Sequence, residues 1–401
     1  MEELQMEKTV QNNYPTIIVH GFLGVCEGKY NYFNYLFNYF GGFTGDVVRD
    51  LNQMGYEVYL PGLGAFAPVW DRCCDLYAYI FGGTVDYGKV HSEKYGHARY
   101  GRTYPGVLKD LGTPGDHAKV NLVGHSFGGP TLCLFSSLME QGAAEEVAGT
   151  PADELSPFFK GGQGHLLHTV TTLNGTNTGT TLVQMLPRSV RNGAMAAIDA
   201  VVVATGRSAF AKVIDFKMDE WGLTVDPDEA KEGFQNPLDY KDLIKKNIEG
   251  DENMFHQMSV EYSRQLAAER FCISPKTYYF AERCVRTHPN RSGKHNANLT
   301  NTMPLFDLTA PIIGRYTNKS MGIDESWFPN DGMVPLPSQG APENMPSKDY
   351  SEGVAIEPGI WYNMPVTDND HESMVGMFVN NDKTTNRFKK ILDRSKYLPD
   401  A

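Results

Sequence analysis

The sequence predicts an α/β protein, in which a mostly parallel sheet is covered by helices on both faces. The 401-residue chain is 41% hydrophobic and 21% charged, which is enough apolar side chain for one large core. Short apolar runs alternate along it with longer helical patterns, as they do in parallel sheets whose strands are buried on both faces. These runs are Thr16 to Val19, Tyr56 to Leu60, Val120 to Val123, Leu167 to Leu173 and Thr277 to Phe280.

We predict one domain, from residue 14 to residue 401, with two long insertions. No internal repeat and no Pro/Ser-rich linker divides the chain. The alternation of strand and helix patterns is interrupted for longest between residues 64 and 105 and between residues 184 and 270. We interpret these two segments as additions to the sheet.

Charge and hydropathy exclude several classes of function. The 48 acidic and 36 basic side chains give a net charge of -12, which offers no basic field to a phosphate backbone, so we expect no nucleic-acid partner. No run approaches the roughly 20 apolar residues of a transmembrane helix. The segment Met1 to Val10 is charged rather than patterned like a signal peptide. We expect a soluble chain, and because a removed leader leaves no trace, the compartment stays open, as does the oligomeric state.

The cysteines do not define a redox compartment. Six are present, which is sparse for a disulfide scaffold in a chain of this length, and no C-x-x-C spacing occurs. Cys272 and Cys284 could form a bridge, but two buried thiols are the favoured interpretation.

Ser126 has the setting of a nucleophile on a strand-to-helix turn. The pentapeptide GHSFG, Gly124 to Gly128, separates the β-rich run Lys119 to Val123 from the helical stretch Leu132 to Met139. A serine in G-x-S-x-G at such a turn projects its hydroxyl above the sheet, and the glycines let strand and helix approach closely. The alternative, an ordinary Gly-Ser turn, is disfavoured by this context.

His371 and Asp331 are the predicted partners of this serine. A serine hydroxyl needs a histidine to take its proton, and after such a turn the partners follow in the order serine, acid, histidine. The other histidines break that order, so His371 remains, in a polar loop where we expect it to be exposed; its alternative is a solvated histidine without a role. Asp331, on an Asn-Asp-Gly turn, is the favoured acid and Asp324 the alternative.

Two backbone N–H groups are predicted to face the oxygen of the tetrahedral intermediate. One belongs to Phe127, the residue after the serine. The other falls on Phe22, because Ile17 to Gly24 is a strand that runs into a His-Gly loop. Glycine on either side of a donor lets the backbone turn its amides toward a ligand.

Several long strings resemble the thermoalkalophilic bacterial true lipases and their staphylococcal relatives. The resemblance extends over nearly the whole chain, from Pro15 to about Gly376. It implies an α/β-hydrolase fold and the hydrolysis of acylglycerol esters. The strings are WDRCC at 70–74, GGTVDYG at 82–88, GHARYGRTYPG at 96–106, DFKMDEWGL at 215–223, GIDESW at 322–327 and NDG at 330–332.

Carried over by motif, the resemblance implies a nucleophile at Ser126, an acid at Asp331 and a base at His371. It places the oxyanion donors at Phe22 and Phe127. The family has glutamine where this chain has Phe127, and we expect this difference to change the shape of the pocket rather than the mechanism, since any residue supplies the amide.

The resemblance also implies a zinc site formed by Asp71, His91, His97 and Asp219. Two imidazoles and two carboxylates make a closed set of four ligands, which suits a structural zinc better than a catalytic one with an open position. Because Asp219 comes from a distant segment, the metal would tie one insertion to the other.

Calcium is not expected at the position where similar lipases bind it. They hold it through an acid two residues after the catalytic histidine and an Asp-Pro pair beyond. Here Ser373, Phe378 and Val379 occupy those places, which leaves too few carboxylate oxygens for a hard cation. Glu372 and Asp382 remain as donors for a shifted site.

Residues 184 to 206 are predicted to form a helical lid over the acyl pocket, and the alternative is a core helix. Only Asp199 interrupts the apolar run from Ala194 to Ala204. Apolar residues recur at helical spacing and widen one face of the helix: Met195, Ala197, Ile198, Val201, Val202 and Val203.

We therefore predict a lipase that hydrolyses acylglycerol carboxylic esters through an acyl-enzyme on Ser126, at a transient contact with a lipid–water interface. Two alternatives remain. One is a carboxylesterase or phospholipase that uses the same triad on soluble or charged esters. The other is a catalytically silent lipid-binding protein, against which the intact set of three side chains argues.

Overall fold

The computed structural model describes residues 9–25, 38–43, 45–298 and 303–401. The strands in these ranges are β1 (Thr16–Val19), β2 (Val58–Tyr59), β3 (Gly83–Asp86), β4 (Tyr100–Tyr104), β5 (Val120–His125), β6 (Leu167–Leu173), β7 (Tyr278–Glu282), β8 (Thr287–Pro289), β9 (His295–Ala297), β10 (Ser347–Asp349) and β11 (Trp361–Asn363).

Seven of these strands form the central sheet, in the order β10-β11-β7-β6-β5-β1-β2, and their pairings are parallel. All five apolar runs that the sequence predicted as strands lie in it, which confirms the α/β class. The remaining pairs, β3 with β4 and β8 with β9, are antiparallel and lie outside this sheet.

Helices precede or follow almost every strand of the sheet. Short 3₁₀ turns lie at Gly164–Leu166, Ala209–Lys212, Pro237–Tyr240, Lys319–Met321 and Glu325–Trp327. The α-helices are α1 (Val47–Gln53), α2 (Val69–Phe81), α3 (Lys89–Tyr95), α4 (Gly128–Gln141), α5 (Ala144–Gly149), α6 (Pro157–Lys160), α7 (Thr181–Met185), α8 (Arg188–Gly206), α9 (Lys241–Glu249), α10 (Met254–Gln257), α11 (Val260–Arg270), α12 (Pro304–Ile313), α13 (Leu336–Gln339) and α14 (Asn381–Lys396).

Both faces of the sheet are buried, because successive side chains of a strand point to opposite sides. Ile17 of β1 and Leu122 of β5 pack on one side, in the core cluster beneath α2 and α4. Ile18 and Val123 pack on the other side, with side chains of α1 and α14. Such burial on both faces explains why the strands appear as uninterrupted apolar runs.

The carboxyl ends of the central strands meet at one level. Val19 at the end of β1 is opposite Gly124 in β5. Leu173 at the end of β6 is opposite His125 on one side and Glu282 of β7 on the other. The loops that follow β1, β5 and β6 therefore leave the same edge of the sheet side by side, where ligands of parallel sheets bind.

The two predicted insertions contribute no described residue to the seven-stranded sheet. Residues 64–105 form α2, α3 and the hairpin of β3 and β4, while residues 184–270 form α8 to α11. Their limits, and the single domain from 14 to 401, stay predictions. None of the helices in the described ranges combines the length and apolar character needed to cross a bilayer. Cys272 and Cys284 are both free thiols, as favoured, but only Cys284 is fully buried and Cys272 is partly exposed.

The helix predicted as a lid is α8, and it is buried on one side only. Its inner side chains Met195, Val202 and Val203 are almost completely buried. Val202 and Val203 pack in a cluster with Phe66 and Trp221, and Phe22 contacts the same cluster. In contrast, Val190 and Val201 are about half exposed.

Candidate active site

Ser126 lies between β5 and α4 with a φ of 55°, in the left-handed backbone region that residues other than glycine rarely adopt. The surrounding glycines make this turn possible. A Cβ on Gly124 would lie 2.5 Å from the carbonyl oxygen of Gly128, and one on Gly128 would lie 2.7 Å from that of Val19. The pentapeptide therefore packs as the sequence predicted, with strand, turn and helix in close contact.

The structure brings the three predicted side chains into one chain of hydrogen bonds. Ser126 Oγ lies 2.9 Å from Nε2 of His371, and Nδ1 of His371 lies 2.7 Å from Oδ2 of Asp331. The other carboxylate oxygen, Oδ1 of Asp331, accepts the backbone N–H groups of Met333 and Val334 at 2.9 and 2.7 Å. The alternative acid, Asp324, binds Ser326 in a separate turn.

His371 is buried, which corrects the expectation of an exposed loop histidine: only 3% of its surface is accessible. Its ring packs against that of His125, with 4.8 Å between centroids. The polar residues around it satisfy one another within the loop, as when Oδ1 of Asp370 accepts the N–H of Ser373 at 2.9 Å. A polar loop composition therefore does not by itself make His371 accessible to solvent.

Asp331 controls the charge state of His371. Burial by itself lowers the pKa of the imidazole, but the charge of Asp331 and its hydrogen bond outweigh burial, so the pKa of His371 is raised above its usual value. The Nδ1–H tautomer follows from this geometry, since a carboxylate only accepts. Nε2 is then free to take a proton from Ser126 Oγ.

Asn174, which follows β6 directly, was not singled out from the sequence. Its Nδ2 donates to Oδ2 of Asp331 and to the carbonyl oxygen of His371, both at 3.1 Å. Its backbone has a φ of 36°, which asparagine tolerates better than most residues. An asparagine directly after a buried strand, at the edge where the other loops meet, is the signal that could have indicated it.

The predicted oxyanion donors lie on the loops after β1 and β5. In the described part of the chain, the backbone N–H groups of Phe22 and Phe127 have no hydrogen-bond partner. The loops pack so tightly that a Cβ on Gly21 would lie 2.7 Å from Cβ of Ser126. The side chain of Phe127 is completely buried.

A buried arginine holds the first of these loops. The guanidinium of Arg72 donates to the carbonyl oxygen of His20 at 2.5 Å, to that of Gly64 at 2.8 Å and to Oγ1 of Thr131 at 3.1 Å. Arg72 is inaccessible to solvent. It lies within the resembling string WDRCC, but the sequence did not indicate that its role is to fix the loop that carries Phe22.

Asp71, His91 and His97 form a compact cluster that could hold a metal ion. Nε2 of His91 lies 3.3 Å and Nε2 of His97 4.0 Å from Oδ1 of Asp71. These buried nitrogens and both carboxylate oxygens of Asp71 have no hydrogen-bond partner among the described residues. Burial raises the pKa of Asp71 to about 6 and lowers that of His91 to about 4. Buried nitrogen and oxygen atoms that lack hydrogen-bond partners are suited to bind a cation.

The fourth predicted ligand, Asp219, lies outside this cluster. Its carboxylate accepts from the guanidinium of Arg102, which also binds Asp215, and from the hydroxyl of Thr224 at 2.8 Å. The structure therefore brings three of the four predicted donors together and places the fourth in an ion pair.

Comparison with known proteins agrees with this architecture. The family model for the lipase-like C-terminal domain matches residues 12–394. A lipase of Staphylococcus epidermidis is 32% identical over 384 residues, which cover 94% of this chain but 52% of the relative. The chain thus spans about half the length of that lipase.

Two solved structures match this chain over most of the length of both proteins. Staphylococcus hyicus lipase superposes with a TM-score of 0.81 at 30% identity, covering 97% of each chain. EstA from Clostridium botulinum superposes with a TM-score of 0.79 at 32% identity, covering 99% of this chain and 90% of the other. These matches confirm the α/β-hydrolase fold and the resemblance to staphylococcal lipases. The chain belongs to the family of lipase-like C-terminal domains.

Proposed function

We propose that this protein is a serine ester hydrolase that acts on acyl lipids. The observation that carries the proposal is the continuous line of contacts from Ser126 Oγ to His371 Nε2 at 2.9 Å and from His371 Nδ1 to Asp331 Oδ2 at 2.7 Å. Such an arrangement activates a hydroxyl that is otherwise a poor nucleophile.

In the proposed mechanism, Ser126 attacks the acyl carbonyl while His371 takes its proton at Nε2. Asp331 keeps the proton of Nδ1 in place and offsets the charge of the imidazolium. The backbone N–H groups of Phe22 and Phe127 stabilise the oxyanion. His371 then protonates the leaving alcohol, and water hydrolyses the acyl-enzyme by the same steps in reverse order.

Lipid esters are the proposed substrates because apolar side chains adjoin the proposed oxyanion donor. The ring of Phe22 packs against those of Phe66 and Phe255, with centroids 5.6 and 5.9 Å away. The relative from Staphylococcus epidermidis is named a lipase. A water-soluble or charged ester is the competing substrate class.

Activity against emulsified triacylglycerol beside soluble short-chain esters tests the proposal, with Ser126→Ala as the reference. We expect Ser126→Ala to abolish both activities with little change in melting temperature, and a fluorophosphonate to label Ser126 in the parent protein. Activity on short esters alone would favour a carboxylesterase. The absence of both labelling and activity would favour a lipid-binding protein.

We also propose that the cluster of Asp71, His91 and His97 holds a structural zinc ion. The ligands would be two imidazoles and a carboxylate, which are ordinary zinc ligands. A carboxylate that is buried without a hydrogen-bond partner is stabilised by a nearby positive charge, which the zinc ion would supply. Asp219 would complete the set by turning from Arg102 toward the cluster. Bound there, zinc would join the hairpin insertion to the segment that follows α8.

A further inference from the structure

The loop that carries Phe22 and the loop that carries His371 are joined by a chain of three hydrogen bonds. The N–H of Gly21 donates to the hydroxyl oxygen of Tyr39 at 2.9 Å. That hydroxyl lies 2.8 Å from Nδ1 of His125, and Nε2 of His125 lies 3.1 Å from the carbonyl oxygen of His371.

The direction of each bond is fixed by chemistry. The carbonyl oxygen of His371 only accepts, so Nε2 of His125 carries the proton of a neutral ring. Nδ1 is then an acceptor and takes the hydroxyl proton of Tyr39, whose oxygen accepts from Gly21. The neutral ring agrees with the surroundings, since burial and the nearby His371 hold the pKa of His125 well below its usual range.

These groups are shielded from water, so the bonds have no solvent competitor. His125 is completely buried and Tyr39 is 6% exposed. The two rings meet edge to face, with 5.6 Å between centroids. Gly21 is held closely as well, because a Cβ there would lie 2.8 Å from the Tyr39 hydroxyl oxygen. In a buried setting, the loss of one partner leaves the others unsatisfied.

We propose that Tyr39 and His125 are positioning residues that keep the oxyanion donor of Phe22 in register with the base His371. This inference rests on the proposed function, since it assigns the two residues a task in that reaction. None of these three hydrogen bonds involves Ser126 Oγ or the imidazole nitrogens of His371. They act through backbone groups, at Gly21 next to Phe22 and at the carbonyl of His371 itself.

Tyr39→Phe is the central test, because it removes one oxygen and keeps the ring. We expect kcat on a soluble ester to fall about 10- to 100-fold with KM changed less than about twofold, since loss of a whole oxyanion donor costs about 100- to 1000-fold. Tyr279→Phe is the matched control. Its hydroxyl is also buried and bridged, to Ser136 Oγ at 2.9 Å and from the N–H of Ser274 at 3.0 Å, away from the triad.

The control separates positioning from stability. Both substitutions leave buried polar groups unpaired and should lower the melting temperature similarly, but only Tyr39→Phe should lower kcat. Equal kcat values for the two variants would overturn the inference. If Ser126→Ala retained activity in the same assay, the proposed function itself would be wrong, so the two failures are distinguishable.

The coupling between the two residues gives a second test. His125→Leu removes both ring nitrogens, whereas His125→Gln keeps one donor and one acceptor and should recover part of kcat. Since Tyr39 and His125 belong to one chain, the double variant of Tyr39→Phe and His125→Leu should lose no more activity than His125→Leu alone. Losses that multiply would show that the residues act independently and would contradict the proposal.

Discussion

Asn174 Nδ2 and Asp331 Oδ2 lie 3.1 Å apart, so the carboxylate oxygen that accepts the hydrogen bond from His371 Nδ1 also accepts one from an amide. The same amide reaches the carbonyl oxygen of His371. The proposed acid and base are thus fixed to each other through a third residue, which follows the neighbouring strand β6.

Asn174→Asp should shift the pH dependence of the reaction upward. The substitution keeps the shape of the side chain and adds a negative charge beside His371, which raises its pKa further. Because the base acts in its neutral form, the acid limb of kcat/KM moves to higher pH, by about one unit for each tenfold change in proton affinity.

The pH profile of kcat/KM on a soluble ester measures this shift. Asn177→Asp is the control, since Asn177 binds Thr172 and the carbonyl oxygen of Gly340 rather than the triad. Asn177→Asp should shift the acid limb of kcat/KM less than Asn174→Asp does. An acid limb displaced toward lower pH in Asn174→Asp would contradict the proposed roles of Asp331 and His371.

Zinc content should distinguish Asp219 from its neighbour Asp215. Both carboxylates bind Arg102, but only Asp219 is proposed as a ligand. We expect about one zinc per chain by elemental analysis in the parent protein and in Asp215→Asn, and a clear loss in Asp219→Asn and His97→Ala. The chelated parent protein should melt at a lower temperature. A full equivalent of zinc in Asp219→Asn would leave only the other three donors as ligands.

Calcium should not raise the melting temperature, because an arginine side chain already occupies oxygen acceptors of the loop after His371. Arg387 donates to the carbonyl oxygens of Ser373 and Met374 at 3.0 and 2.9 Å and to Oδ1 of Asn369 at 2.9 Å. Arg387→Gln should therefore lower the melting temperature and kcat, while Lys383→Gln on the exposed side of the same helix should not. A calcium-dependent rise in the parent protein would show that a shifted site at Glu372 or Asp382 exists.

The lid hypothesis can be tested with two adjacent valines of α8. Val202 is 1% exposed and Val201 is 55% exposed. If α8 opens toward lipid, Val202→Ser should reduce hydrolysis of emulsified long-chain esters much more than that of a soluble short ester, because its apolar inner face would meet the lipid. Val201→Ser serves as the matched control. Equal losses on both substrates in Val202→Ser, with a lower melting temperature, would identify α8 as a core helix.

The sequence predicted the parts of this protein that depend on local pattern. The five buried strands and the turn at Ser126 follow from runs of apolar residues and from glycines at fixed spacing. The strands β10 and β11, at one end of the sheet, were missed, because three residues are too few for a periodicity to be recognised. His371 and Asp331 could be selected because their order along the chain is constrained.

Contacts between distant residues could not be predicted in this way. Asn174 and Asp331 are 157 positions apart, and Tyr39 and His125 are 86 apart. Asparagine and tyrosine occur in many structural settings, so the residue type alone does not indicate which distant residue either one binds. The burial of His371 was also hidden, since a polar loop can satisfy its hydrogen bonds internally as well as with water. Asp219 shows a different limit of motif matching. The motif identifies a candidate ligand by its place in the sequence, but it does not show which way the side chain points.

The close packing around Ser126 has a consequence for how this protein can evolve. The glycines at 21, 124 and 128 admit no side chain without a clash, so almost any substitution there should disrupt the turn at Ser126. Residues 184 to 270 contribute no strand to the sheet, so a change there leaves its strand pairing intact. New substrate preferences should therefore arise from changes in that segment, while the reaction itself is inherited unchanged.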